Sequence, residues 1–225
     1  MKNAPEPGRG CAFFDVDGTL ISIKSMFSFL DFLVEALEIE ESTRDYRRQL
    51  QQMIADQAPR EAINRFYYRL YTGLEVDLVA QLGQQWYRQV RSREGLFYPR
   101  MLEELRRHQR QGLRTVLVSG SFAAILQPLA DELGIDDLIA APLEIQAGRY
   151  TGQLTGLPTI GQGKAEGMRT YLRAHPAVTA QCYAYGDDVS DLPMLESVGF
   201  PVTVNPDATL RGISQHRRWP IIAAA

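Results

Sequence analysis

Residues 11 to 20 read Cys11-Ala12-Phe13-Phe14-Asp15-Val16-Asp17-Gly18-Thr19-Leu20. Cys11 to Phe14 is wholly apolar and carries the aromatic side chains that suit a strand buried on both faces. At Gly18 the backbone is free to turn sharply. Side chains at i and i+2 of a strand point the same way, so Asp15 and Asp17 project together at its carboxyl end. Open α/β sheets bind ligands there. Two carboxylates this close repel each other unless a cation lies between them or one holds a proton. The pair therefore asks for a divalent metal and for further acids downstream.

Downstream of Pro99 the chain alternates between helix and strand. Arg100 to Gln111 is a predicted helix stopped by Gly112, and Arg114 to Val118 a buried strand running into Ser119-Gly120-Ser121. Ala123 to Leu133 is a helix stopped by Gly134, and Asp137 to Ala141 a strand. Leu143 to Leu154 forms a hairpin around Gly148-Arg149-Tyr150. Helix Lys164 to Arg173 precedes a strand at Gln181 to Tyr185, which enters Gly186-Asp187-Asp188-Val189-Ser190-Asp191. A helix at 192–198, a strand at 201–204 and a short helix at 208–213 complete the series. Such alternation implies an α/β fold with a doubly wound, mostly parallel sheet.

Between these parts, about Ser25 to Arg93, the apolar residues recur at three- and four-residue steps. Met26, Phe29, Leu30, Leu33 and Leu37 do so, as do Ile63, Phe66, Tyr67 and Leu70, and then Leu78, Leu82, Trp86 and Val90. The segment reads as an all-helical insert of roughly 70 residues. The domain division is therefore 25–94 for the insert and 1–24 with 95–225 for the α/β core, with Met1 to Gly10 a loose tail.

Composition narrows the function classes. The net charge is −3, with 23% charged and 45% hydrophobic residues. No basic field points to nucleic acid or an anionic membrane. Met26 to Leu37 carries Asp31 and Glu35 and is too short to span a bilayer. No stretch resembles a signal peptide. Cys11 and Cys182 lack metal-like spacing and read as buried reduced thiols on neighbouring strands. The expectation is a cytoplasmic protein.

Four chemical signals fall at predicted strand ends or on a helix beside them: Asp15/Asp17, Ser119, Lys164 and Asp187/Asp191. Hard carboxylate oxygens without His or Cys suit Mg²⁺. Ser119, the Gly120 amide and the point charge of Lys164 suit phosphate oxygens. Acids, one metal, a hydroxyl and a lysine together suit phosphoryl transfer, where positioning and charge neutralisation are most of the catalysis.

In their order, DVDGTL, VSGS, Lys164 and GDDVSD, these motifs resemble the haloacid dehalogenase superfamily of phosphatases and phosphotransferases. The insert after the first motif is similar to the cap of its phosphoserine-phosphatase-like branch. The resemblance implies a Rossmann-like core, with Asp15 as the nucleophile that forms an aspartyl-phosphate and Asp17 as general acid and then base. It implies Mg²⁺ held by the Asp15 carboxylate, the Asp17 carbonyl and Asp187, with Asp191 a ligand or a support. Ser119, Gly120 and Lys164 would bind the transferring phosphoryl group, and the cap would select the substrate. The expected activity is Mg²⁺-dependent hydrolysis of a small phosphorylated metabolite. The alternatives are transfer to an alcohol acceptor, or a phosphoaspartate signalling module without turnover.

Other residues divide between chemistry and packing. Phosphoserine phosphatases place an acid early in the cap to answer the substrate ammonium. Nine positions beyond Asp15 this chain has Lys24, which would attract a carboxylate or second phosphate, or else is a solvated surface lysine. Met26, Phe27 and Phe29 either line the cap entrance for a lipophilic leaving group or fill the cap core. Asp188 reads as a helix cap, the run Phe66 to Tyr71 as packing, and His108, His175 and His216 as solvated.

Overall fold

All four residues of β1 (Cys11–Phe14) are buried, two on each face of a parallel sheet. The structure is a computed structural model that describes residues 10–177 and 179–224. The tail expected at residues 1–9 lies outside the described residues. After β1 come four helices, α1 (Ser25–Ala36), α2 (Glu40–Ala55), α3 (Arg60–Tyr68) and α4 (Val76–Arg91). Then follow α5 (Pro99–Arg110), β2 (Arg114–Val118), α6 (Ala123–Leu133), β3 (Asp137–Ile139) and the hairpin β4 (Leu143–Gln146) and β5 (Arg149–Leu154). The chain closes with α7 (Gln162–Ala174), β6 (Tyr183–Gly186), α8 (Leu192–Leu195), β7 (Phe200–Val204), α9 (Ala208–Arg217) and β8 (Ile221–Ile222).

The main sheet has the order β3-β2-β1-β6-β7-β8, and every pairing in it is parallel. The chain leaves β1 to build β2 and β3 on one side, then returns to build β6 on the other. The order therefore reverses at β1, and a crevice opens outside the carboxyl ends of β1, β2 and β6. This is the Rossmann-like α/β arrangement. Strand periodicity sorts the core: Ala12 and Phe14 pack with Leu117, Tyr185, Met101 and Leu105. Cys11 and Phe13 pack on the opposite face with Val116, Met168, Met194 and Leu210.

Helices α1 to α4 bury an aromatic interior in which Phe29, Tyr67, Tyr71 and Trp86 are nearly inaccessible. Phe122, from the turn before α6, enters it with its ring 5.0 Å from that of Tyr71. Within the run 66–71, Phe66, Tyr67 and Tyr71 are thus packing residues, as its periodicity implies. Helix α4 crosses α6 so closely that a Cβ on Gly83 would stand 2.1 Å from the Ala124 carbonyl oxygen. Tyr87 Oη and Arg91 Nε both bind the Glu132 carboxylate, at 2.8 and 2.6 Å. The hairpin β4–β5 is stitched to the connection between α3 and α4 by Gly73 N–H to Tyr150 O, 2.8 Å, and Tyr150 N–H to Leu74 O, 3.0 Å. Two crossings lead in and out of the helical segment, and they pair through Ser22 N–H to Leu96 O and Tyr98 N–H to Leu20 O.

Several expectations change in detail. The hairpin turns at Ala147 and Gly148, both at positive φ, one residue before the expected place. Strand β3 ends at Ile139 and α8 at Leu195, while β8 is an addition. His108 is not solvated: it is fully buried, with Nε2 2.7 Å from Tyr185 Oη and its ring 4.4 Å from that of Tyr183. Helix α5 turns His108 to the same side as Met101 and Leu105, toward the sheet. Cys11 and Cys182 are both buried, and the Cys11 N–H lies 3.3 Å from Cys182 Sγ. Among the described residues no helix is long and apolar enough to cross a membrane.

Candidate active site

Asp15 stands one residue beyond β1, anchored by its own N–H to Tyr185 O on the neighbouring strand at 2.9 Å. Lys164, in the first turn of α7, reaches it from the other side of the sheet end. Its Nζ donates to Asp15 Oδ1 and Asp191 Oδ1, both at 2.5 Å, and all three side chains are almost wholly buried. Burial works against the Lys164 ammonium, but the two carboxylates outweigh it and keep the lysine charged. Asp191 is further held by the N–H groups of Asp187 and Asp188, at 3.1 and 3.3 Å.

Asp187 follows β6 and accepts from Thr19 Oγ1 at 3.3 Å. The turn carrying Thr19 approaches so closely that Gly18, at φ +97°, could not carry a side chain: a Cβ would lie 2.2 Å from Asp187 Oδ2. Carboxylate oxygens of Asp15, Asp187 and Asp191 all fall within 4.8 Å of one another. Burial, and then the Asp15 charge, push Asp187 up to about 8. Burial likewise lifts Asp191 to about 6 against the pull of Lys164. Three crowded acids, met by Lys164 at 2.5 Å and by Lys24 only at 3.8 Å, form an all-oxygen donor set with charge left to neutralise. That set fits a hard divalent cation such as Mg²⁺.

Asp17 differs from its neighbour. Its Oδ2 accepts from the N–H and the hydroxyl of Ser25, at 2.9 and 3.0 Å, while its buried Oδ1 has no hydrogen-bond partner among the described residues. Burial and the Asp15 charge push its acid up to about 7. Ser25 Oγ also lies 3.1 Å from Ser121 Oγ, tying this acid to the loop after β2. In that loop Ser119 is buried and its Oγ accepts from Ser121 N–H at 3.1 Å.

These groups line one cavity of about 270 Å³ between the sheet end and the helical segment. The sequence-predicted residues Asp15, Asp17, Lys24, Ser119, Gly120, Lys164, Asp187 and Asp191 all lie on its wall. Lys24 is directed at the acids: Nζ donates to the Asp17 carbonyl at 2.9 Å and lies 3.8 Å from Asp187 Oδ2. Met26 and Phe27 line the cavity, whereas Phe29 is core, so the two readings of that stretch divide between its residues. Asp188 does cap the turn after it, by accepting from Ser190 N–H. It also receives Arg60 Nη2 at 2.6 Å, a bridge from the first residue of α3 across the cavity mouth.

Sequence reasoning missed Ser25, Arg60, Asn64, Tyr68 and Ile160. Arg60, Asn64 and Tyr68 recur every four residues, so they share one face of α3. A polar stripe at helical spacing, inside a segment that otherwise packs, was the signal available.

A family model described as haloacid dehalogenase-like hydrolase matches residues 12–196. The histidinol-phosphatase of Neisseria meningitidis is 29% identical over 224 residues, covering 95% of this chain and 98% of that protein. Phosphoserine phosphatase SerB1 of Mycobacterium tuberculosis is 29% identical over 217 residues, 93% of this chain and 69% of that protein. Among solved structures, a protein of unknown function from Bordetella pertussis Tohama I superposes with a TM-score of 0.86. It is 28% identical, and the match covers 97% of this chain and 100% of that one.

Proposed function

The chain belongs to the haloacid dehalogenase-like hydrolases, and from that premise we propose that it is a Mg²⁺-dependent phosphatase of small phosphorylated metabolites, working through an aspartyl-phosphate at Asp15. The observation that carries this reading is the buried Asp15 carboxylate, fixed by Lys164 at 2.5 Å with two further acids within 4.8 Å. The named phosphatases among the relatives support it.

In this reading an Asp15 oxygen attacks phosphorus while the bond to the leaving oxygen breaks. Asp17 gives that oxygen its proton. Because Oδ2 already accepts two hydrogen bonds from Ser25, the proton resides on Oδ1, the oxygen without a partner. Asp17 then takes a proton from water, which attacks the phosphoenzyme and frees Asp15. Lys164 and the Ser119 hydroxyl, with the Gly120 amide, neutralise and orient the phosphoryl oxygens. Asp15, Asp187 and the Asp17 carbonyl, with Asp191 in support, would hold Mg²⁺, which would supply the remaining positive charge at the phosphoryl group. Residues 25–94 act as a cap that excludes water and bounds the leaving group, over a core of 1–24 and 95–225. A volume of about 270 Å³ suits a small metabolite.

The test is phosphate release from a panel of phosphorylated metabolites, with Mg²⁺ and then with chelator, using Asp15→Asn as control. Metal-dependent release that disappears in Asp15→Asn is expected. Release that survives either change overturns the reading.

A further inference from the structure

The Gly120 carbonyl, in the loop that ends β2, is held by two donors from the helical segment. Tyr68 Oη donates to it at 2.7 Å and Asn64 Nδ2 at 2.9 Å. Both side chains come from one face of α3 and both are fully inaccessible to solvent. A carbonyl oxygen accepts two hydrogen bonds at most sites, so this one is saturated. With both lone pairs engaged from fixed directions, the peptide joining Gly120 to Ser121 cannot tilt. Its other end is the Ser121 N–H, which donates to Ser119 Oγ at 3.1 Å. An oxygen that already accepts on one side leaves its own O–H to point elsewhere. Ser119 lines the cavity beside Asp15 and Lys164. The loop is tightly packed at this point: a Cβ on Gly120 would lie 2.9 Å from Ile160 Cγ1.

We propose that Asn64 and Tyr68 are positioning residues for phosphoryl transfer. They act through the Gly120–Ser121 peptide to aim the Ser119 hydroxyl into the cavity. The proposal rests on the reading of Ser119 as a ligand of the phosphoryl group. Helix α3 thereby completes the phosphoryl site as well as roofing it, and the loop is fully aligned only when α3 is docked. A plain structural role, two hydrogen bonds fastening α3 to the sheet end, predicts lost stability with no dependence on Ser119.

Coupling between Tyr68 and Ser119 separates the two. Tyr68→Phe deletes one hydroxyl and keeps the ring, and Asn64→Leu deletes the other donor. Each is made in the full chain, alone and together with Ser119→Ala. Two readouts are taken with Mg²⁺ present: kcat on a phosphomonoester, and calorimetric affinity for inorganic phosphate, which needs no turnover. Ser119→Ala is expected to lower kcat about 10²-fold, the scale of one lost transition-state donor, and Tyr68→Phe about tenfold. In the Ser119→Ala background the added Tyr68→Phe change should cost less than about twofold, because its route of action is already gone. An equal fold-loss in both backgrounds, or none in the native one, overturns the proposal, and Tyr68→Phe decides alone where Asn64→Leu does not fold. If no ester is hydrolysed, the hydrolase reading fails by itself while phosphate affinity still reports the coupling. If phosphate does not bind either, the proposal falls with it.

Discussion

Ser25 supplies both hydrogen bonds that reach Asp17 Oδ2, through its N–H at 2.9 Å and its hydroxyl at 3.0 Å. Ser25 is the first residue of α1, so the helical segment grips this acid at the point where the chain enters it. Asp15, two residues earlier, is gripped instead from the core by Lys164. The two carboxylates of one short turn thus have different environments, and different environments give acids different work.

Exchanging each carboxylate for its amide should expose that division. Asp15→Asn is expected to abolish phosphate release with the circular dichroism spectrum unchanged, since an amide is no nucleophile. Asp17→Asn should keep the phosphoenzyme step possible but slow turnover by roughly 10²–10⁴-fold, the usual cost of a lost acid–base group. Near-native turnover in Asp15→Asn would remove it from the nucleophile's role.

Much of this arrangement was legible in the sequence because it is local. A four-residue apolar run followed by acids at i and i+2 specifies a buried strand and the side on which the acids emerge. Lys164 and Asp187/Asp191 were found the same way, from turns that follow strands or open helices. Asn64 and Tyr68 were not. Their partner is a backbone carbonyl more than 50 residues away, and a carbonyl has no sequence signature. His108 reads as solvated when three scattered histidines are weighed together, whereas its spacing from Met101 and Leu105 puts it on the buried side of α5. Strand β8 has two residues, too few to show a period.

The crossing of α4 over α6 predicts a substitution that defies helix propensity. Alanine for glycine inside a helix is ordinarily worth about 1 kcal/mol. At Gly83 the new Cβ would stand 2.1 Å from the Ala124 carbonyl oxygen, a backbone atom that cannot swing aside. Gly83→Ala should therefore destabilise, by about 1–3 kcal/mol as overpacked contacts do, in urea unfolding. A neutral or stabilised variant would mean that the two helices separate at little cost.

His108 should make the protein acid-sensitive. Burial and the neighbouring Arg107 hold it down to about 4, from an ordinary 6.5, with Glu104 pulling the other way and Tyr183 and Tyr185 packed on the ring. Above pH 6.5 the imidazole is neutral in both folded and unfolded chains, and stability is whole. As pH falls from 6.5 toward 4, only the unfolded chain takes up the proton. Stability then drops by about 1.4 kcal/mol per pH unit, about 3 kcal/mol in all. The buried acids of the site shift the other way, so the difference between native protein and His108→Gln isolates the effect. That difference should change by about 3 kcal/mol across the interval, and a constant difference would contradict the neutral, buried imidazole.

Substrate preference follows from which groups on the cavity wall are already engaged. Lys164 is engaged with Asp15 and Asp191, Arg60 with Asp188, and Lys24 with the Asp17 carbonyl. The apolar part of the cavity wall is Met26, Phe27, Ile54, Ile63 and Ile160. Against that part of the wall a leaving group with its own ammonium and carboxylate would lose hydration, whereas an apolar one gains by burial. Phosphate esters of arylalkyl or branched alcohols should therefore exceed phosphoserine in kcat/KM by about tenfold or more, the discrimination that one to a few buried methylenes provide. Ile63→Asp should shrink that ratio. Lys24→Met should lower kcat/KM for every ester alike, because its charge is directed at Asp17 and Asp187. A loss confined to esters that carry a second anion would instead make Lys24 the residue that reads the substrate, and the apolar wall would then set only its size.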